Sequence, residues 1–535
     1  MLIFFISAVV GLMALVYLLL PALTFTDLTG WFLVFCVLGC LTIGLGMGEK
    51  GTAAKVTAFV LAASMVLVVG AGIVFSPFIM SRNYAGVLGG LEKTDIEEYT
   101  PSIDTVPLMD QDTAELLMNR TLGTLVDEVS QFELGDSTQI NYQGRAVRVA
   151  PLKYAGFFKY MNNRQSGIPA YVTVDMQTQK TEIHYLEQGM KYSPSAYFGK
   201  DLLRHIWLSY PTAIVSDNIC FELDEEGNPL WVVPRLVHKV GFFGSDVRGV
   251  FCVNAVTGEI NYYEAGNVPD YIDNVYPADL VIAQYDDYGK FSGGFWNSLI
   301  GQRRVTATTE GYNYIPDGDD IYLYTGVTSV NGDESNIGFI YVNLRTKEAK
   351  YFEQAGAEEF SAMASAEGMV QHLGYTSTFP LLLSIDGYPT YCVSLKDSGG
   401  LVKMYGLVNV EQYQIVVTGD SIAQCLQKYR ASLRSNGQHL DKNDSCIEGV
   451  VTEILSANMD GSTYYYLQLD NKPVYYEVCI SDNKEAVLLK EGCLVNLSLL
   501  GQPTKDSIQE AALNGWAHTV NLVIQPSSEA ETNNT

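Results

Sequence analysis

Three long runs near the start of the chain carry no charged residue: Met1–Thr26, Leu28–Gly48 and Val56–Ser81. A helix needs about 20 apolar residues to cross a bilayer core about 30 Å thick, so each run reads as a transmembrane span. The first run lacks the basic segment that opens a signal peptide, and Pro21–Gly30 reads as a tight turn, so it reads as a retained helix. After Ser81 the pattern changes to short alternating stretches, turn residues and segments with three- and four-residue apolar spacing. One pattern recurs in Val172–Tyr185, Phe251–Tyr262, Ile340–Tyr351 and, more degenerately, Gly406–Val417. Each reads as a β-hairpin whose turn opens on Asp175, Asn254, Asn343 or Asn409, because Asp and Asn side chains bond backbone N–H groups two residues on. Gly258 supplies a residue tolerant of positive φ in the second copy.

Helical spacing follows each hairpin, over Tyr197–Leu208, Pro277–Tyr285, Ala357–Leu373 and Asp420–Leu433. An extra strand precedes the later hairpins, at Leu230–Pro234, Ile321–Val327 and Pro389–Leu395. The repeated unit is therefore strand, hairpin, helix, a two-layer α+β solution. Asp110–Gln131 reads as a separate helix, and the aperiodic Leu91–Val106 as linker.

The stretch Pro229-Leu-Trp231-Val-Val233, followed by Gly249 and then Val253-Asn254-Ala-Val-Thr257-Gly258-Glu259, resembles the PepSY domain of extracytoplasmic bacterial proteins. Ile321–Phe352 and Pro389–Val417 resemble it more loosely. The resemblance implies a binding or regulatory role, such as control of peptidases or envelope assembly, and carries no motif residue over as a site. Cys446–Ile524 differs again. Five strand-like runs, at Ile447–Leu455, Thr463–Leu469, Val474–Ile480, Leu494–Leu499 and Thr519–Ile524, with a helix-like insert near Asp482–Leu489, resemble an OB-fold barrel.

The expected fold class is thus a membrane-anchored α+β protein with three N-terminal transmembrane helices, repeated PepSY-like hairpin–helix units and a C-terminal OB-like barrel. Its divisions are a transmembrane region over 1–81, a linker over 82–109, and α+β units over 110–218, 219–310, 311–385 and 386–444. The barrel covers 445–525 and a polar, disordered tail covers 526–535.

Charge sharpens this division. The chain has 535 residues and a formal net charge of −27. Asp27, Glu49, Lys50 and Lys55 cancel within the first 80 residues, so the whole imbalance lies in the body. A strongly acidic body argues against nucleic acid, and the barrel, with four Lys, no Arg and ten Asp or Glu, does not offer the basic groove such binding needs. Lys50 and Lys55 flank the turn after the second span, which places that turn and the N-terminus in the cytoplasm and the body outside. No span carries a central ionisable residue, which argues against conduction. Small residues such as Gly39, Gly44 and Ala62 permit close helix packing, hence an oligomer through the spans.

Catalytic motifs are missing. His184, His205, His238, His372, His439 and His518 are scattered, and no His-Glu-x-x-His, Cys-x-x-Cys or Gly-x-Ser-x-Gly occurs. Ser245, with His238 nearby, reads as a solvated loop serine. Asp317–Asp320 and Asn331–Asn336 are oxygen-rich but lack a calcium-loop pattern and read as turns. Neither a metal nor a cofactor is expected. Cys220 with Cys252, or Cys446 with Cys493, could bridge neighbouring strands; buried small hydrophobes are the other reading. Tyr271, Tyr276, Tyr285, Tyr288, Phe295, Trp296, Arg303 and Arg304 combine the residue types that carry interface energy, and form the candidate interaction patch, with ordinary sheet packing as the alternative. The functional expectation is a non-enzymatic protein of a bacterial cell membrane whose extracytoplasmic body binds envelope proteins or peptides as scaffold or regulator. The alternatives are an envelope hydrolase with dispersed catalytic residues and an accessory subunit of a transport complex.

Overall fold

The computed structural model describes residues 2–48, 50–95, 106–123, 130–330, 335–436, 446–459, 462–470, 475–480, 484–499 and 516–525. The chain is mixed α+β and divides into two compact units. The first holds Met1–Ser384, Pro389–Lys403 and Val410–Tyr413; the second holds Ile385–Tyr388, Met404–Asn409 and Gln414–Thr535.

The head of the first unit is α1 (Leu2–Leu19), α2 (Leu28–Met47), α3 (Gly51–Val74) and α4 (Pro77–Ala85). α2 and α3 are long and apolar enough to cross a membrane, and Phe4–Leu19 is a shorter apolar helix. Asp27 caps α2 by accepting the Thr29 N–H at 2.8 Å. The expected third span through Ser81 is two helices. Pro77 has no N–H to continue the ladder, and it opens α4 in the first-turn position where none is needed.

Three sheets follow in the first unit. β1 (Leu91–Thr94) belongs to the third of them. α5 (Gln111–Leu122) then precedes the first sheet. α5 forms the first part of the helix expected over Asp110–Gln131 and is capped at Gly123; residues 124–129 of that expectation lie outside the described set. The first sheet comprises β2 (Phe132–Leu134), β3 (Thr138–Tyr142), β4 (Arg145–Tyr154), β5 (Ile168–Asp175) and β6 (Thr181–Met190), in the order β2-β4-β5-β6 with β3 also on β4. The second comprises β7 (Ile214–Val215), β8 (Cys220–Leu223), β9 (Pro229–Val240), β10 (Phe243–Asn254) and β11 (Ile260–Glu264), in the order β11-β10-β9-β7 with β8 also on β9. The third comprises β12 (Thr306–Thr308), β13 (Asn313–Asp317), β14 (Asp320–Ser329), β15 (Ser335–Asn343), β16 (Ala349–Phe352) and β17 (Gly356–Ala357). Its order is β1-β16-β15-β14-β12, with β13 on β14 and β17 on β15. All three share one plan: two short strands line one edge of a long strand, and an antiparallel hairpin lines the other.

The stretch expected as linker is in part a strand. β1 runs parallel to β16, with Leu91 opposite Ala349 and Thr94 opposite Phe352. The strand is anchored from before its start, where Leu88 is buried in the core beneath the second and third sheets. Its partner lies more than 250 residues away in the chain, so no local pattern announced it.

The hairpin turns repeat to the level of single hydrogen bonds. Asp175 Oδ1 accepts the N–H of Gln177 at 3.0 Å and of Thr178 at 2.8 Å. Asn254 Oδ1 accepts from Val256 at 3.0 Å and Thr257 at 2.9 Å. Asn343 Oδ1 accepts from Arg345 at 2.8 Å and Thr346 at 2.9 Å. The same position then takes positive φ in each turn: Gln179 at 60°, Gly258 at 80° and Lys347 at 65°. The degenerate copy closes one residue later, with the Asn409 N–H bonded to the Ile415 carbonyl, and Asn409 Nδ2 donates instead to Tyr429 Oη at 2.9 Å.

The second sheet is buried on both faces. Trp231, Val233, Phe251 and Val253 pack with the first sheet, α5 and the helix Leu202–Ser209. Their neighbours Leu230, Val232, Val250 and Cys252 pack with the third sheet and the helix Ala278–Phe291. Alternate residues of a strand point to opposite faces, so one sheet serves two cores. The same register removes a proposed disulfide. Cys220 and Cys252 both oppose Val232, from the two sides of β9, which sets them about 10 Å apart and beyond the ~7 Å a disulfide spans. Cys446 pairs with Ser498, whereas Cys493 bonds Val451 through its carbonyl, so these two lie several rungs apart. Cys220, Cys252 and Cys493 are free thiols, and Cys252 is buried as the small-hydrophobe reading expects.

The remaining first-unit elements are the helix Glu359–Met369, β18 (Thr376–Ser377) and β19 (Leu381–Ile385), both of these strands pairing with β20 (Tyr388–Lys396). In the second unit the end of β21 (Val402–Asn409) pairs with β22 (Val416–Gly419), and the helix Ile422–Ser435 follows. Arg430 closes a bidentate pair with Asp386 at 2.7 and 3.0 Å. A closed barrel ends the unit: β23 (Cys446–Met459), β24 (Ser462–Leu469), β25 (Tyr475–Cys479), β26 (Leu494–Leu499) and β27 (Trp516–Gln525). Its order is β23-β24-β25-β27-β26, β25 and β27 run parallel, and a 3-10 turn at Lys484–Leu488 lies between β25 and β26. Val451, Leu467, Leu469, Tyr476, Val478, Val495 and Leu497 fill it. The tail 526–535, His439 and the Asp460-Gly461 turn fall outside the described residues.

Gly258 carries the sharpest test of the repeated turn. A Cβ there would meet the Tyr192 ring at 2.2 Å in a backbone region that side chains avoid. Gly258→Ala should therefore destabilise the protein by roughly 2 kcal/mol. Gln179→Gly, which relieves strain at the equivalent position, should be neutral to stabilising by about 0.5 kcal/mol in thermal melts of the same preparation.

Candidate functional site

The aromatic and arginine residues expected as a patch separate in the fold. Tyr276 and Tyr285 are buried between the second and third sheets, and Tyr271 and Tyr288 pack half-buried against the same core. Burial pushes the Tyr285 and Tyr276 phenols up, the latter to about 12. Phe295 packs partly buried beside Tyr84 and Phe291, while Trp296, Arg303 and Arg304 are exposed. The exposed apolar part is Trp296 with Leu299 and Ile300, the last 74% exposed. The Phe78 ring of α4 lies 5.2 Å from Phe295 and 5.8 Å from Trp296, edge to face. This stretch therefore reaches the helical head.

Two further fastenings join head and body. The Trp207 indole N–H donates to the Pro21 carbonyl at 2.9 Å, the Leu23 N–H to the Pro211 carbonyl at 2.8 Å, and Arg204 lies 4.0 Å over the Tyr17 ring. At the tip of β9–β10, Phe242 meets Phe75 with ring centroids 6.4 Å apart. In the same hairpin the His238 imidazole stands between two groups: Ser245 Oγ at 3.2 Å from Nδ1 and Asp27 Oδ2 at 3.4 Å from Nε2. The hydrogen bond from His238 draws the Asp27 carboxyl down to about 2. Ser245, His238 and Asp27 have the composition of a hydrolase triad, and Ser245 and His238 are simply opposite one another on the ladder. Asp27 is committed as the α2 cap, so the row acts as a fastener between the α1–α2 turn and β9.

Of the other histidines, His184 bonds Thr173 Oγ1 at 2.8 Å and stacks on Tyr171, and His205 contacts the Gly258 carbonyl at 2.8 Å. The first contact lies within the first sheet and the second joins the helix Leu202–Ser209 to the turn of the second sheet. The oxygen-rich turn Asp317–Asp320 is the β13–β14 hairpin turn, and Asp320 is held by Arg345 at 2.5 Å and Asn343 at 2.7 Å. Residues 331–334 of the second such loop lie outside the described set.

The site that sequence reasoning missed lies where the three sheets meet. Arg148 sits inside the apolar run Ala146-Val147-Arg148-Val149-Ala150 of β4, and β4 is buried on both faces. Only 3% of its surface is exposed. It lines a cleft of about 540 Å³ with Ser137, Ser195, Asn218, Trp231 and Asn274 among its walls. Nη1 donates to Ser137 Oγ at 3.0 Å, and Ser137 Oγ donates onward to Glu115 at 2.7 Å. Nε is buried without a partner. The Ser137 hydroxyl stands between this guanidinium and the Glu115 carboxylate, and burial lowers the guanidinium's affinity for its proton. The available signal was the lone charge within a β-branched run.

Behind the cleft lies a buried carboxylate pair. Glu222 accepts the N–H groups of Asp273 at 2.9 Å and Asn274 at 3.0 Å, and Asn274 Nδ2 at 3.0 Å. Asp273 accepts the Asn141 N–H at 2.7 Å. Burial raises both carboxyls, and the Glu222 charge raises Asp273 further. Glu222, with three donors, is the better-supplied anion, so the proton belongs on Asp273.

The architecture comprises an apolar helical head and stacked α+β sheets in the first unit and a small barrel in the second. No family model matches the chain, and no curated protein matches it.

The carboxylate pair makes stability depend on pH. Asp273 titrates well above its unfolded value near 3.8, so the folded state holds an extra proton and loses stability as pH rises above about 4. The cost grows by about 1.4 kcal/mol for each pH unit up to the folded value. Asp273→Asn keeps an oxygen for the Asn141 N–H and removes the charge. It should melt higher than the parent at pH 7, with the gap closing near pH 4; a lower melt at pH 7 would show that the charge itself is needed.

Proposed function

We propose that the protein is a multi-pass protein of a bacterial cell membrane whose extracytoplasmic body binds envelope proteins or peptides as a scaffold or regulator. In this reading α1, α2 and α3 are three spans, the N-terminus is cytoplasmic, the sheets are PepSY-like units and the barrel is OB-like. The observation that carries the reading is the position of the fastenings. Tyr17, Pro21, Leu23, Asp27 and Phe75 all belong to the same end of the α1–α3 bundle, and every one of them meets the body. The exposed apolar residues Leu208, Trp296, Leu299 and Ile300 belong to the body segments that make or adjoin these contacts. With the helices in a bilayer, those side chains stand at headgroup level, where Trp and other amphipathic groups are favoured. A body held against one bilayer face is suited to capturing partners at the membrane.

The barrel supports the same reading. Its order and its parallel β25–β27 pairing suit a five-stranded Greek-key barrel of the OB kind. Tyr466 Oη donates to Glu477 at 2.8 Å and Tyr475 Oη to Glu453 at 2.5 Å. Carboxylates thus stand beside the rings that a nucleic acid would stack on, which favours a protein partner.

Protease treatment of intact cells and of inverted vesicles tests the topology: the body should be cut only in the former, and digestion confined to inverted vesicles overturns it. A variant retaining Trp296 as its only tryptophan should be quenched by brominated lipids in nanodiscs, whereas one retaining only the buried Trp231 should not. Crosslinking in cells followed by purification should recover a defined envelope partner, and repeated recovery of the chain alone overturns the scaffold role.

A further inference from the structure

We propose that the cleft at the junction of the three sheets is a binding site for a small organic carboxylate, whose carboxylate group is received by Arg148. The inference rests on the cleft alone and is independent of the anchor and of the scaffold role.

A buried guanidinium is costly unless it is paired, and Arg keeps its proton. It carries five N–H donors in a planar fork. Ser137 takes up Nη1, at 3.0 Å to its hydroxyl and 3.4 Å to its carbonyl, and Nε has no partner. The nearest compensation is indirect, through the Ser137 hydroxyl to Glu115. Compare Glu222, equally buried, which receives three N–H groups from residues 273 and 274. The fold fully satisfies one buried charge and leaves the other, on a side chain that lines the cleft, with its buried Nε unpaired. A carboxylate matches the unused donors in charge and geometry.

The walls narrow the class. About 540 Å³ is far more than a bare anion fills, and falls in the range of roughly 300–1,000 Å³ of small-molecule sites. Trp231, Leu152 and Ile219 give an apolar wall, and Ser193, Ser195 and Asn218 give hydrogen-bonding groups. Asp136 and Asp217 line the cleft against Arg148 and Lys153, so its charged groups balance, which suits a monoanion or a zwitterion better than a dianionic phosphate. The ligand is therefore a carboxylate joined to an apolar side chain and an amide or ammonium group, the chemistry shared by a free amino acid and the C-terminus of a short peptide.

Calorimetry on the full chain in nanodiscs, with the dipeptide alanyl-leucine, its C-terminal amide, free leucine and inorganic phosphate, tests this. Alanyl-leucine or leucine should bind, the difference between them identifying the source, and the amide should bind at least tenfold more weakly than the dipeptide. Phosphate binding as tight as either, or no binding of either at millimolar concentration, overturns the proposal. Arg148→Met should lose at least tenfold in affinity while the ligand-free protein melts no lower than the parent, since an unpaired buried charge has been removed. A lower melt with unchanged affinity would make Arg148 structural and overturn the site. Should that variant not fold, Asn218→Trp, which fills the cleft away from the arginine, should reduce dipeptide affinity at least tenfold, and unchanged affinity counts against the site in the same way.

Discussion

The second sheet has to bury both of its faces, and most of the body follows from that demand. Its long strands β9 and β10 send alternate residues into two different cores, one shared with the first sheet and one with the third. A slip of one residue would exchange Trp231 and Phe251 for Val232 and Cys252 and put the wrong volumes into both cores at once. The register is therefore held at the turns. An Asp or Asn side chain closes two backbone N–H groups at the start of each of the first three hairpins, and a single positive-φ residue completes each loop. The repetition of this small device is what lets one sheet be stacked on the next.

Stacking also explains where polar groups end up. Edges of three sheets converge where β3, β4, β8 and β13 meet, and short strands leave backbone groups there that side chains must satisfy. The Phe221 N–H goes to Thr138 Oγ1 at 3.1 Å, Asn274 Nδ2 to the Gln139 carbonyl at 3.1 Å, and Asn141 Nδ2 to the Gly318 carbonyl at 2.7 Å. The same corner carries Glu222 and Arg148. Arg148, Glu222 and Asp273, three of the buried charged groups, thus lie at the seam between these sheets.

What could be read in the sequence was what is decided within about a dozen residues. The hairpins, the glycine turn at Gly258, the helices after the hairpins and the barrel strands all rest on local pattern, and the structure has them. What could not be read depends on distant partners. β1 looked like linker because its partner β16 lies far along the chain. Cys220 and Cys252 looked like neighbours because nothing local shows that β9 runs between them. The tyrosines 276 and 285 looked like a surface because the core they enter, from the helix Ala278–Phe291 and the loop before it, is built by strands distant in the chain. The Asp27–His238 contact joins residues 211 apart in the chain. Of the candidate cleft, only Arg148 left a trace, as a charge out of keeping with its strand.

That trace points to a general asymmetry in reading buried charge. A buried carboxylate can be satisfied by backbone N–H groups, which every loop supplies, and Glu222 is satisfied in this way. A buried guanidinium needs acceptors placed in a fork, and a strand interior offers few, because its carbonyls are already spent on the sheet. An acidic residue in an apolar run is therefore readily absorbed by the fold, whereas an arginine in the same position asks for something the sheet does not hold. Placing that arginine beside a cleft, with its one indirect counter-charge reached through a serine hydroxyl, separates it from a residue whose only task is to hold two sheets together.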